Sequence, residues 1–323
     1  MKRLILVLAL CSASNCFAQE NQTLADALKA NSVPLASIPR LNSKITSCAT
    51  LNDEDEFVIA YYLANEKDKN ELRFPLYVAR LEKKTGQWQN IQRDRLTLAV
   101  PGGMDFRTVD CLGSILSIER YSRGYYLNLH LTPSAGCLVV LTSSFKVPHT
   151  YPGWTVASVG NDMIWQGNTV HFADVHPLKL WLYDPREVTS TQIYPQPEDP
   201  VRKRFEERLA KVIDQKQCME NNWACDPKRF TAEVGKVEVS KEATAFAFLV
   251  HFSPEGFLKL EDADRSRQWD DDDYVYFYRL RPFSWRVFSL YDLKPKFGSD
   301  SLQQLLTPEK LNRIFANESS NVQ

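Results

Sequence analysis

The sequence predicts an all-β chain assembled from repeated units of short strands. Three observations predict it. Short runs rich in aromatic and β-branched residues recur along the chain, separated by turn residues. Helical periodicity is confined to a few short stretches. Two segments repeat each other: LYVARLEKKTGQW (Leu76–Trp88) resembles VYFYRLRPFSW (Val275–Trp285), with Tyr77, Arg80, Leu81 and Trp88 answering Tyr276, Arg279, Leu280 and Trp285. Strand groups open near Phe57, Ile115, Val170 and Ala245, at intervals of 58, 55 and 75 residues. Units of three or four strands at this spacing suit a β-propeller of four to six blades, about five, with a helical insertion and short terminal helices. The competing fold is a β-sandwich, which also shows regularly spaced short strands but needs no repeated strand–strand–Trp unit.

The chain has 323 residues and a net charge of −1, with 44% hydrophobic and 24% charged residues. These are globular proportions. The charge balance excludes binding to nucleic acid through broad phosphate neutralisation. Met1-Lys2-Arg3, the apolar run Leu4–Leu10 and the small residues ending at Cys16-Phe17-Ala18 form the three-part pattern of a signal peptide over residues 1–18. Its apolar run is too short to span a bilayer. Leu10 and Asn15 precede Cys11 and Cys16 where a lipidation site needs a small residue. The expectation is therefore soluble export, periplasmic or secreted, with no membrane span.

Residues 19–45 follow as an N-terminal segment with a short helix at Thr23–Ala30, begun by the capping pattern of Thr23 and Asp26. The propeller-like body covers 46–297. Its strands are expected at Phe57–Leu63, Leu76–Leu81, Trp88–Ile91, Ile115–Tyr121, Tyr125–Leu131, Leu138–Leu141, Asp162–Trp165 and Val170–Val175. Further strands are expected at Lys179–Tyr183, Thr191–Tyr194, Ala245–Phe252, Tyr274–Leu280 and Trp285–Leu290. Ser122-Arg123-Gly124 and Gly167-Asn168 mark hairpins. A helical insertion at 199–226 begins with Asp199 as cap and Pro200 at the first helical position. Val201, Phe205, Leu209, Val212 and Ile213 form its apolar stripe. The tail at 298–323 carries a helix from Thr307-Pro308 through Leu311, Ile314 and Phe315.

Five cysteines remain after the leader: Cys48, Cys111, Cys137, Cys218 and Cys225. Cys218 and Cys225 bracket CMENNWAC, and a disulfide there would restrict the unfolded chain by roughly 2.5 kcal/mol. Among the other three, one pair and one buried thiol are expected. No CxxC or second ligand pair gives finger-type zinc spacing, and no metal or other cofactor is expected.

Val239–Phe248 (VSKEATAFAF) resembles the strand-entry motif of periplasmic WD40-like β-propeller repeat proteins, a Ser-Pro-Asp-Gly turn followed by an apolar-Ala-Phe strand. Ser240, Glu242, Ala247 and Phe248 match in kind, whereas Lys241 and Ala243 depart at the proline and glycine positions. The resemblance implies a propeller and carries over no activity.

Chemistry-bearing patterns are few. HFADVHP brings together His171, Asp174 and His176. On one continuous strand Asp174 and His176 would face one side and His171 the other, so Asp174 with His176 is the candidate binding pair. The acidic runs Asp53–Glu56 and Asp270–Asp273 lack the spacing of a calcium loop and read as solvated acidic turns. GxSxG, HExxH, phosphate-loop and dinucleotide motifs are absent from the sequence. The reading is a non-catalytic binding or scaffold protein with a protein or glycan partner. The alternative is a carbohydrate-active hydrolase on the same fold, which would place carboxylates together. If residues 1–18 are a cleaved leader, N-terminal sequencing of the exported protein will start at Gln19. A full-length chain, or a lipid adduct on Cys11 or Cys16, would disprove it.

Overall fold

The computed structural model describes residues 45–63, 76–93, 114–132, 135–146, 149–151, 153–167, 170–171, 174–175, 178–187, 189–220, 225–256, 258–265, 267, 269 and 272–316. The leader, the Thr23–Ala30 helix and Cys111 lie outside them. The chain divides into two compact units, Met1–Trp154 and Thr155–Gln323.

The first unit holds two antiparallel sheets. In one, β1 (Ile45–Asn52), β2 (Glu56–Leu63), β3 (Leu76–Glu82) and β4 (Gln87–Arg93) lie side by side in chain order. In the other, β5 (Ser114–Tyr121), β6 (Gly124–Thr132), β7 (Ala135–Thr142) and β8 (His149–Tyr151) do the same. Central strand β2 is buried on both faces. Phe57, Ile59 and Tyr61 pack with Tyr77 and Ala79 on one side. Val58, Ala60 and Tyr62 pack on the other with Leu76, Val78 and the β5–β7 residues Ile118, Leu127, Val139 and Leu141.

The third sheet comprises β9 (Gly153–Val159), β10 (Asp162–Gly167), β13 (Leu180–Asp184) and β14 (Thr189–Tyr194), and apart from the first residues of β9 it belongs to the second unit. A two-stranded ladder, β11 (Val170–His171) with β12 (Asp174–Val175), interrupts it between β10 and β13. The fourth sheet runs β15 (Phe230–Val234), β17 (Ala245–Pro254), β18 (Asp273–Leu280) and β19 (Phe283–Ser289), with β16 (Glu238–Val239) also paired to β17. Helix α1 (Pro200–Val212) packs Val201, Phe205 and Leu209 against Ile164, Leu180 and Ile193 of the third sheet and Phe248, Val250 and Phe252 of the fourth. After the short α2 (Asp262–Arg265), helices α3 (Leu290–Phe297), α4 (Leu302–Leu305) and α5 (Pro308–Ala316) cover the other face of the fourth sheet. There Leu293, Phe297, Leu305, Leu311 and Ile314 meet Ala245, Ala247, Val275 and Phe277.

The chain is thus all-β with few helices, made of successive four-stranded antiparallel meanders, the construction of β-propeller blades. Among the described residues there are four such sheets, within the range expected from the spacing. The sandwich alternative fails on burial in the first unit: a two-layer sandwich turns one face of each sheet to solvent, whereas β2 buries both.

Several details differ from expectation. Sheets begin at Ile45, Ser114, Gly153 and Phe230, so the starts are 69, 39 and 77 residues apart. The even interval of the sequence arose from comparing unlike strands: Phe57 lies in a second strand and Ile115 in a first. Val170–Val175 is not one strand but the β11–β12 ladder, and β10 pairs with β13 instead.

The internal repeat is real at the level of strands. Leu76–Trp88 and Val275–Trp285 both supply the third and fourth strands of a sheet. Their tryptophans, however, sit two residues apart in register. Trp88 opposes Leu81, whereas Trp285 opposes Tyr278, because Leu280 already meets Phe283 across the shorter Arg281-Pro282 turn.

The WD40-like stretch forms the turn into β17. The Ser240 hydroxyl accepts the N–H groups of Thr244 (3.2 Å) and Ala245 (3.1 Å), and Ala243 donates to the Ser240 carbonyl at 2.8 Å. Ala243, at the glycine position of the motif, has a φ of 51°. A left-handed L-residue costs about 1–2 kcal/mol, partly offset by the greater unfolded-state freedom of glycine. Ala243→Gly should therefore stabilise the protein by about 0.5 kcal/mol, read as a higher urea midpoint at unchanged slope. A lower midpoint would show that the turn is not strained.

Candidate functional site

The residues singled out from the sequence reach different places. His171 and Asp174 are directly opposed partners in the β11–β12 ladder, and His176 lies outside the described residues. The expected alternation along one strand does not apply, since the two residues belong to different, antiparallel strands. Cys218 and Cys225 form a disulfide with Cα atoms 5.8 Å apart, tying the turn at Gln217–Glu220 to the segment that enters β15. Cys48 is buried.

The acidic runs are only partly solvated. Asp53 accepts the N–H groups of Asp55 (3.0 Å) and Glu56 (2.9 Å), which closes the β1–β2 turn, and Arg120 of β5 donates to it at 2.5 Å. Burial pushes its carboxyl up, but these N–H groups and the Arg120 guanidinium outweigh burial and hold it below the usual value. Glu56 is buried and accepts the Tyr125 hydroxyl at 2.6 Å, with Arg80 and Arg120 3.9 and 3.8 Å away. Burial is the main reason the Tyr125 phenol is pushed up to about 12, with Glu56 adding to it.

In the second run, Asp270 and Asp271 lie outside the described residues, while Asp272 is 1% exposed. Arg208 of α1 donates to Asp272 while lying over the rings of Trp269 (4.6 Å) and Phe205 (4.9 Å). Arg267 covers Trp269 at 4.9 Å. The Asp272 carbonyl accepts from Phe252 N–H at 3.0 Å, fixing the entry to β18. The next residue, Asp273, pairs with His251 through Nδ1 at 2.8 Å. Burial raises the Asp272 pKa, with Arg208 opposing.

Three more carboxylates are engaged within the second unit. Asp162 is buried and accepts from Arg281 Nη2 at 2.7 Å; burial raises its pKa against the pull of Arg281. Asp184 takes Arg186 in a two-pronged contact, and that side chain holds its carboxyl down to about 2. Asp199 caps α1 by accepting the N–H groups of Val201 (3.0 Å) and Arg202 (3.3 Å), and also accepts the Tyr276 hydroxyl at 2.5 Å.

Chemically, these groups neutralise one another and clamp strand and helix ends. Among the described residues no group of three His, Cys, Asp or Glu could hold a metal ion. One carboxylate stands apart. Glu255, just beyond β17, is buried, burial raises its pKa, and its nearest cation, Arg229, is 3.9 Å away. No motif in the sequence marked Glu255 or the arginine anchors. The one available signal was the repeated Tyr-x-x-Arg-Leu, which carries Arg80 and Arg279.

No protein-family model matches the chain, and no curated protein matches it. Among solved structures it is similar to the tricorn protease, with a TM-score of 0.37 and 7% identity over 73% of this chain and 18% of that one. It is also similar to the β-propeller domain of the Trilobed protease from Pyrococcus furiosus, which has an open velcro topology. There the TM-score is 0.23 and the identity 7%, over 76% of this chain and 82% of that one. The chain spans less than a fifth of the tricorn protease. At these scores the fold assignment rests on strand order and burial, which define a protein of the β-propeller class.

The anchors predict an acid response. Asp184 has a folded pKa of about 2, below its unfolded value. Its ionised form therefore stabilises the protein above about pH 4, and this is lost as pH falls toward 2. Asp162 and Asp272, with raised values, act oppositely: their contribution is present at low pH and lost as pH rises through the raised pKa. Urea midpoints of Asp184→Asn should fall less between about pH 4 and pH 2 than those of the parent protein. An unchanged pH profile would show that the Arg186 contact does not persist in solution.

Proposed function

We propose that this is an exported, non-catalytic binding or scaffold protein built on propeller blades, with a protein or glycan partner. The observation that carries this reading is the engagement of Glu56, Asp162, Asp199 and Asp272. Each buried carboxylate is held by an arginine, a tyrosine or a helix N-terminus of the fold itself. Such groups fix a rigid platform on which loops present contacts. His171, Asp174 and His176, at and beyond the β11–β12 ladder, are the proposed contact residues, and 46–297 the proposed propeller body. The order of residues 1–18 supports export, and the Cys218–Cys225 disulfide is compatible with it. Among the described residues no helix is long and apolar enough to cross a membrane.

The second reading, a carbohydrate-active hydrolase, is favoured by Glu255: unlike Asp162 and Asp272, whose raised carboxyls accept from arginines, it is a buried carboxyl with a raised pKa whose arginine stands 3.9 Å away, the form a general acid takes. The two separate experimentally. The purified mature protein should bind members of a glycan array or an immobilised partner without turning over a panel of chromogenic glycosides. Binding should weaken on combined His171→Ala and Asp174→Ala replacement. Turnover that is abolished by Glu255→Gln would overturn the scaffold reading.

A further inference from the structure

Cys137 lies on β7, is 0% exposed and is held in a disulfide. Its partner follows from the placement of the other cysteines. Cys218 and Cys225 are bonded to each other. Cys137 packs with Val58, Val78, Ile115 and Leu129, in the core shared by the two sheets of the first unit. Cys48 packs with Phe57, Ile59 and Tyr77, on the opposite face of the first sheet. Successive residues of β2 point into these two cores in turn, so the first sheet stands between Cys48 and Cys137. With no exposed surface, Cys137 cannot pair with a second copy of the chain either. Cys11 and Cys16 leave with residues 1–18 under the export reading proposed above, on which this step rests. That leaves Cys111.

Reach allows the pairing. Ile115 and Cys137 both lie opposite Leu129 of β6, two strand spacings or about 10 Å apart. Cys111 stands four positions before Ile115, a tether that spans about 13 Å when extended. A disulfide needs Cα atoms within roughly 4.4–6.8 Å of each other, and the tether is long enough to bring Cys111 that close to Cys137.

We infer that Cys137 is bonded to Cys111, and that this bond is a staple the first unit acquires on export. Its formation takes two protons and two electrons from the two thiols. They pass, through a mixed disulfide, to the disulfide of a thiol–disulfide oxidoreductase of the exported compartment, which leaves as a dithiol. The bond encloses β5, β6 and the start of β7. A closed loop of that length removes more freedom from the unfolded chain than the shorter Cys218–Cys225 loop does. The staple is independent of whether the blades bind a partner or hydrolyse a glycan.

The test is a tryptic map of the exported protein, unfolded and alkylated without reductant. Peptides 108–120 and 124–146 should run as one linked species and separate only after reduction. In Cys111→Ala, Cys137 should alkylate as soon as the chain is unfolded, whereas in the parent protein it should resist until reductant is added. Should Cys111→Ala fail to fold, the map of the parent protein decides alone. Alkylated Cys137 in the parent, or its linkage to peptide 45–67, would overturn the pairing, while a chain that starts at Gln19 leaves the export reading standing. Linkage of Cys137 to Cys11 or Cys16 would overturn the pairing and the export reading together. Protein made without residues 1–18 and kept in a reducing cytosol should show both peptides alkylated. Finding them already linked there would overturn the dependence on export.

Discussion

The structure depends on strands that are buried on both faces. In β17 and β18 successive residues point to opposite sides, and both sides are covered. Phe246 and Phe248 stack across the ladder on Tyr278 and Tyr276, with ring centroids 4.9 and 5.7 Å apart. Such cross-strand aromatic pairs contribute about 0.5–1.5 kcal/mol each beyond the area they bury. Double burial leaves no route to water for a polar group on these strands. The tyrosine hydroxyls therefore find partners inside: Tyr276 donates to Asp199 and Tyr278 to the Ile193 carbonyl at 2.6 Å. The cap of α1 and the core of the fourth sheet share one carboxylate, so helix entry and sheet packing are fixed together.

The same constraint explains which parts were legible in the sequence. Strands such as FVIAYYL, AFAFLVHF and YVYFYRL stand out because burial on both sides requires a continuous apolar run. The strands that escaped notice, β1, β8, β9, β15 and β16, are all at sheet edges. In β9 (GWTVASV) only the ends are fully buried, and β1 (ITSCATLN) is rich in small and hydroxyl residues. The stripe of α1 and its Asp199-Pro200 start were legible because helix capping is local. The anchors were not. Arg208 meets Asp272 across 64 positions and Arg281 meets Asp162 across 119, and no local pattern encodes such pairs.

The acidic runs show how a composition signal misleads. Four adjacent carboxyl-bearing residues suggest a solvated turn, yet a strand entry alternates its faces, so one of two neighbours is carried inside. Asp272 goes into the packing of α1 while Asp273 meets His251 at the partly exposed edge. Likewise Asp53 closes a turn while Glu56 is buried beneath Tyr125. Each buried member requires a cation or hydroxyl, because an isolated buried carboxylate would be several kcal/mol unfavourable.

The repeated Tyr-x-x-Arg-Leu shows what the repeat conserves physically within this one chain. Its tyrosines, Tyr77 and Tyr276, are fully buried, and three residues later the arginines face the other side. Arg80 lies over Phe145 at 5.4 Å and donates to the Ser143 carbonyl at 3.3 Å. Arg279 lies over Phe315 at 4.5 Å and reaches the Leu311 carbonyl at 3.4 Å. The supporting elements are unrelated: the turn after β7 in one case, α5 in the other. A third-strand arginine emerging from a doubly buried sheet needs an aromatic face for its guanidinium and an oxygen for its N–H groups, and each unit supplies both from whatever element lies nearest. In the first unit this places Phe145 at a φ of 60°, a conformation that bulky residues rarely adopt. The ring it delivers stacks on Tyr125 at 5.5 Å and is buried beneath Arg80, so the packing gained there outweighs the strain of the turn.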